Sequence, residues 1–160
     1  MSHGLSVAVV GAGNMGGAML ARLRELGWSV GVHDVDAQAQ SKAEALGAAP
    51  FGSPRQAARS LAPDGVLLIA VVDAVQTEAV LWSADGAEQE LHPGQTVMLC
   101  PTLGPQTVQD QAQRLAQRGV DCIDAPMSGG PCRARQGRMS LMVACPDAVW
   151  PVSYTHLTLP

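Results

Sequence analysis

Gly11, Gly13 and Gly16 stand directly behind the apolar run Val7-Ala8-Val9-Val10 and directly ahead of a helical stretch that begins near Met15 and ends at Gly27. A strand, a glycine turn and a helix in immediate succession bring bare backbone against a pyrophosphate. The first glycine permits the tight turn, the second keeps a side chain out of the phosphates' path, and the third lets helix and strand pack closely. The helix N-terminus adds free N–H groups and partial positive charge. Taken alone, this spacing also describes an ordinary strand-to-helix turn that holds nothing. Context favours a ligand. The apolar run has strand length, and Asp34 closes the next apolar segment, residues 29–33, at the distance where an acid meets ribose hydroxyls. Dinucleotide binding is the expected chemistry.

A second loop has binding character. In Asp124-Ala125-Pro126-Met127-Ser128-Gly129-Gly130 a serine hydroxyl sits beside two glycines whose N–H groups are unobstructed, donors suited to a carboxylate or hydroxyl. A glycine turn between two strands explains the same residues. Arg133, Arg135 and Arg138 follow this loop and either assist a carboxylate or lie solvated on the surface. His3, His33 and His92 lack partners at metal-ligand or triad spacing. Cys100, Cys122, Cys132 and Cys145 form no C-x-x-C pair, so neither zinc nor a redox dithiol is indicated. Cys100 and Cys122 read as small buried hydrophobes.

These residues need a frame, and the chain alternates short apolar runs with amphipathic stretches in the manner of βαβ units. Strands are expected over residues 7–10 and 29–33, with Ala18, Met19, Leu23 and Leu26 at helical spacing between them. A helix follows over 37–46, then a weak strand over 48–51. Ser53-Pro54 looks like an N-cap with proline at the first helical position, opening a helix that ends near Leu61. Residues 66–72 are apolar throughout, as in a central parallel strand covered on both faces. Asp73 caps a helix running to Trp82, and Pro93-Gly94 turns into a strand over 96–100. A helix over 105–118 and strands over 120–123 and 139–144 complete the series. The expected architecture is α/β, a doubly wound, mostly parallel sheet of six or seven strands.

At 160 residues, with 47% apolar content, the chain suits one globular domain. Its net charge of −4 and scattered basic residues recommend neither nucleic acid nor an anionic membrane as partner. The N-terminus lacks a basic leader, and no apolar run reaches the roughly 18 residues of a membrane span. A cytoplasmic location is expected.

Gly11-Ala12-Gly13-Asn14-Met15-Gly16, Asp124-Ala-Pro-Met-Ser-Gly-Gly and the later Gly137-Arg-Met-Ser-Leu-Met-Val together resemble the β-hydroxyacid dehydrogenase family, over residues 5–150. Its members include 3-hydroxyisobutyrate dehydrogenase, tartronate semialdehyde reductase and, more distantly, 6-phosphogluconate dehydrogenase. The second motif discriminates better, because pyrroline-carboxylate reductases share a Gly-x-Gly-Asn-Met turn without it. The resemblance implies a Rossmann domain over residues 1–151 and hydride transfer between NAD(P) and a small β-hydroxy acid. It implies that Gly11, Gly13, Asn14, Met15 and Gly16 hold the pyrophosphate, that Val72 approaches the nucleoside, and that Thr102 stands near the nicotinamide ribose. Ser128, Gly129 and Gly130 would bind the substrate carboxylate. Asp34 accepts ribose hydroxyls and repels a 2′-phosphate, which favours NAD over NADP; Asp36 nearby and a protonated His33 bear on that balance.

The family's catalytic lysine belongs to a Gly-x-x-Gly-x-x-x-Lys helix that this chain does not contain. Lys42, the single lysine, matches nothing in that pattern and reads as a solvated surface residue. No catalytic residue is therefore expected within the chain. The family's helical second domain is absent as well, and the whole protein is expected to be a homo-oligomer. After Trp150 the pattern breaks. Residues 152–160 match what one frame of a transposon-type sequencing adaptor encodes, so an assembly or cloning scar is expected there, and Ser153, Tyr154 and His156 are read as a tail without chemistry. Two other readings remain: a non-catalytic NAD-binding module, and an imine reductase with a different proton donor.

Overall fold

The computed structural model of the chain describes residues 5–150. His3 and the expected foreign segment 152–160 lie outside the described residues. Six strands form one parallel sheet: β1 (Leu5–Val10), β2 (Val30–His33), β3 (Ala49–Pro50), β4 (Leu61–Ile69), β5 (Thr96–Leu99) and β6 (Asp121–Asp124). Their spatial order is β3-β2-β1-β4-β5-β6. The chain winds outward from β1 to β3, crosses back to lay β4 beside β1, and winds outward again. Strand order therefore reverses between β1 and β4, the place where open α/β sheets bind ligands beyond their carboxyl ends.

Alternation along the strands divides the core in two. Val7, Val9, Val66, Leu68, Met98 and Ile123 face a layer built from α1 (Asn14–Glu25), α2 (Ala37–Ala45) and α6 (Gly130–Arg135). Ala8, Val10, Leu67, Ile69, Val97 and Leu99 face α3 (Pro54–Arg59), α4 (Ala74–Trp82) and α5 (Pro105–Ala116). The period of two sends neighbours to opposite faces, and both faces are covered, so the central strands can be apolar at every position. Registers Val7↔Val66 and Val10↔Ile69 lock β1 to β4. Among the described residues no helix is long and apolar enough to cross a membrane.

The caps work as the sequence suggests. Ser53 Oγ accepts the Gln56 N–H, and Asp73 Oδ1 accepts the Gln76 N–H. Most boundaries shift by a residue or two, and three differences change the reading. The helix expected to reach Leu61 stops at Arg59, because Leu61 already pairs with Leu5 in the sheet. The strand expected over 66–72 runs instead from Leu61 to Ile69. Val72 lies past its end in the turn to α4, 78% exposed, its N–H donated to Gln76 Oε1. The strand expected over 139–144 is a two-residue pairing outside the main sheet: β8 (Ser140–Leu141) runs antiparallel to β7 (Met127–Ser128).

Candidate functional site

Because β1, β2, β4, β5 and β6 run in one direction, the loops that follow them emerge along one edge. That edge carries the glycine turn after β1, Asp34 after β2, Val72 after β4, Thr102 after β5 and Ser128–Gly130 beyond β6. From β1 to β6 is three strand steps, roughly 14 Å at about 4.8 Å each. The two corners read from sequence thus share one side of the molecule, within reach of a single extended ligand.

The glycine turn has the shape its spacing implies. Gly11 turns with φ +93°, and a Cβ there would lie 2.7 Å from the Ala70 carbonyl oxygen. Gly16 is buried against the same turn, where a Cβ would meet the Gly11 oxygen at 1.8 Å. Gly13 differs: a Cβ there would enter open space, with nothing within 4 Å. The middle glycine keeps room free rather than permitting a contact within the chain. Gly13 is also the N-cap of α1 and provides no side-chain cap, whereas Asp36, Ser53 and Asp73 cap the three helices that follow. The first amides of α1 are left for an anion. Asn14 is exposed there, while Met15 is half-buried and packs against the core.

Asp34 stands over this turn. Its Oδ2 accepts the Ala12 N–H at 2.6 Å and its Oδ1 accepts the Asp36 N–H at 2.8 Å. A carboxylate oxygen accepts twice, so each retains a position for a hydroxyl. Gly11, Gly13, Asp34 and Val72 line one groove of about 470 Å³ that crosses the β1–β4 reversal. The same groove holds His33, which the sequence already set beside the cofactor acid, and one side chain that sequence reading did not assign, Gln76. His33 donates through Nδ1 to the Phe51 carbonyl at 2.9 Å, which fixes its ring. For Gln76, placement one turn past Asp73 was the available signal.

Thr102 is exposed after β5 and does not line that groove. The Ser128-Gly129-Gly130 loop is not a plain turn between strands: β7 leads into α6, with Gly129 at its N-cap and φ +120°. Helix α6 packs on α1, and a second cleft of about 570 Å³ runs between Gly13 and Asn14 on one side and Pro131 and Cys132 on the other. The first residues of α6 after the second corner, Pro131 and Cys132, thus face the glycine turn across this cleft. Lys42 lines this second cleft from α2.

Asp124 closes β6 at the root of the loop. Its Oδ1 is buried with no hydrogen-bond partner among the described residues, and burial raises its carboxyl above the ordinary carboxylate range.

Comparison with known proteins agrees with this geometry. Residues 6–157 match the family described as the NAD binding domain of 6-phosphogluconate dehydrogenase. L-threonate dehydrogenase of Cupriavidus necator is 34% identical over 141 residues, 88% of this chain and 46% of that protein. NAD-dependent L-serine dehydrogenase of Pseudomonas aeruginosa is 28% identical over 137 residues, 86% of this chain and 45% of that protein. Among solved structures, a 3-hydroxyisobutyrate dehydrogenase from Salmonella typhimurium superposes with a TM-score of 0.86 at 32% identity, covering 94% of this chain and 52% of that one. The chain spans about half the length of the curated relatives it matches. With open space at the glycine turn, an acid beside it and a reversal in strand order, the chain belongs to the 6-phosphogluconate dehydrogenase-like β-hydroxyacid dehydrogenases as their NAD(P)-binding Rossmann domain.

Proposed function

We propose that the whole protein oxidises a small β-hydroxy acid, with NAD rather than NADP as its partner, and that this chain grips both the dinucleotide and the acid's carboxylate. Bound NAD supplies the hydride acceptor. The observation that carries the reading is the Asp34 carboxylate 2.6 Å from the Ala12 amide, over the glycine turn. In that place an acid receives two ribose hydroxyls and opposes a phosphate.

The roles are those the family resemblance implies, and the shared edge of the sheet supports them. The free amides of α1, behind Gly11, Gly13 and Gly16, face the pyrophosphate, with Asn14 and Met15 as the first helical residues. Val72 covers the nucleoside from the β4 side. Thr102 stands near the nicotinamide ribose, and Ser128, Gly129 and Gly130 orient the carboxylate. L-threonate, L-serine and 3-hydroxyisobutyrate, named for the relatives above, are all carboxylates bearing a hydroxyl on carbon β. The proton is taken by a lysine outside this chain. Lys42 is exposed on α2 and lines the second cleft, but it lies outside the Gly-x-x-Gly-x-x-x-Lys pattern that carries the family's proton acceptor.

Calorimetry of the chain with NAD and NADP tests the cofactor half. Saturable NAD binding at least roughly tenfold tighter than NADP is expected, a difference of about 1.4 kcal/mol. No saturable binding of either would overturn it. For the substrate half, the longer protein is assayed by NADH formation with the three acids, and an absence of turnover with every β-hydroxy acid would remove that claim.

A further inference from the structure

We propose that Arg133 grips the carboxylate of the incoming hydroxy acid, supplying the positive charge that the Ser128-Gly129-Gly130 corner lacks. This rests on the reading of that corner as the acid's seat. Ser128 offers a hydroxyl and the two glycines offer amides, all of them neutral donors. A guanidinium adds a planar fork that matches both carboxylate oxygens, and such charge-assisted pairs are stronger than neutral ones.

Geometry singles out Arg133 from the basic cluster. Its stem lies along Gly129: a Cβ built on that glycine would come 3.0 Å from Arg133 Cδ and 3.3 Å from Arg133 Cβ. The guanidinium begins one bond beyond Cδ, so it is carried at the rim of the corner. The stem can lie so close only because Gly129 has no side chain, and its φ of +120° suits glycine alone. Arg135, two residues on, is engaged elsewhere, with Nη2 2.8 Å and Nε 3.1 Å from Glu25 Oε1. Among the described residues no carboxylate pairs with Arg133, which is exposed. Arg138 is exposed too, but the side-chain atoms nearest to Gly129 are those of Arg133. The consequence for specificity is that a free carboxylate is required, and the corresponding amide is rejected.

The test uses the chain saturated with NADH and titrated with L-threonate, 3-hydroxyisobutyrate and L-threonamide, followed by NMR at the Gly129 and Gly130 amides and at the Arg133 Nε–H. The expected result is that amides and guanidinium respond together to a carboxylate and fail to respond to the amide. Arg133→Gln weakens carboxylate binding by roughly tenfold or more, as loss of a hydrogen bond to a charged group does. Arg133→Lys recovers part of it, and NADH binding is unaltered in both. Arg138→Gln, which removes the same charge away from the corner, leaves affinity within about twofold. If the loop amides respond but Arg133→Gln binds like the parent chain, or Arg138→Gln weakens binding equally, the assignment to Arg133 is overturned and the corner stands. If neither carboxylate moves the loop amides, the corner itself has been misread and Arg133 falls with it.

Discussion

Gly16 packs so closely on Gly11 that a Cβ on the first would lie 1.8 Å from the carbonyl oxygen of the second. Gly13, between them, has open space where its side chain would be. One motif therefore contains two different requirements, and substitution separates them. Gly16→Ala should lower stability by about 1–3 kcal/mol through overpacking, seen as a lower melting temperature. Gly13→Val should melt near the parent yet lose NAD affinity by roughly tenfold or more. Equal loss of stability in both variants would contradict this division of roles.

Asp34→Asn should bring the NAD and NADP affinities together. Two unit charges about 4 Å apart interact by about 4 kcal/mol at the effective dielectric of a protein surface, more than the about 1.5–3 kcal/mol of a hydrogen bond to a charged group. Charge therefore decides the preference, and the amide keeps an acceptor for the ribose while removing it. Calorimetric titration should show the NAD-to-NADP affinity ratio falling at least about tenfold. An unchanged ratio would place the selectivity elsewhere.

The fold was legible where local chemistry is one-sided. The all-apolar stretch ending at Ile69 and the caps Ser53 and Asp73 state their structures through burial and hydrogen bonding within a few residues. What escaped depends on distant partners. Leu61 reads as the end of a helix until Leu5 is found beside it, and Val72 reads as strand until the turn held by Gln76 takes it out of the sheet. Gly130-Pro131 has the composition of a turn, yet it opens α6 because Ala134 finds a buried place in the layer beneath α1. At the candidate site, the glycines and Asp34 follow a fixed spacing and were visible. Gln76 and the stem of Arg133 take their places only through the pairing of β1 with β4 and the folding back of β7.

Glu90 contributes to the loss of stability in acid. Arg59 Nη2 at 2.6 Å and Arg55 Nε at 3.0 Å hold its carboxylate, and these hydrogen bonds, Arg59's first, lower its pKa from 4.5 to about 2. A depressed folded-state pKa stabilises the fold above the unfolded value, and that stabilisation disappears as pH falls from about 4.5 toward 2. Glu90→Gln should therefore melt below the parent at neutral pH and converge with it near pH 2, measured by thermal denaturation across pH. A constant offset at every pH would show that ionisation is not involved.

The cysteines should sort by burial. Cys100 and Cys122 are buried, and desolvation, with a further push from the Asp124 charge, raises both thiols to about 12. Cys132 is exposed on α6. Since the thiolate is the reactive form, a thiol reagent at mildly alkaline pH should label Cys132 in the folded chain and reach Cys100 and Cys122 only after unfolding. Peptide mapping of the label checks this, and rapid labelling of Cys100 would contradict it.

The groove across the strand reversal draws one wall from each half of the sheet: Gly11 and Asp34 from the β1–β2 side, Val72 and Gln76 from the β4 side. An occupant touching both walls acts as a rivet through two otherwise separately wound layers. By mass action, a hundredfold excess over its dissociation constant adds about 2.7 kcal/mol to the folded state. Resistance to heat in this domain is thus a gauge of how much dinucleotide surrounds it.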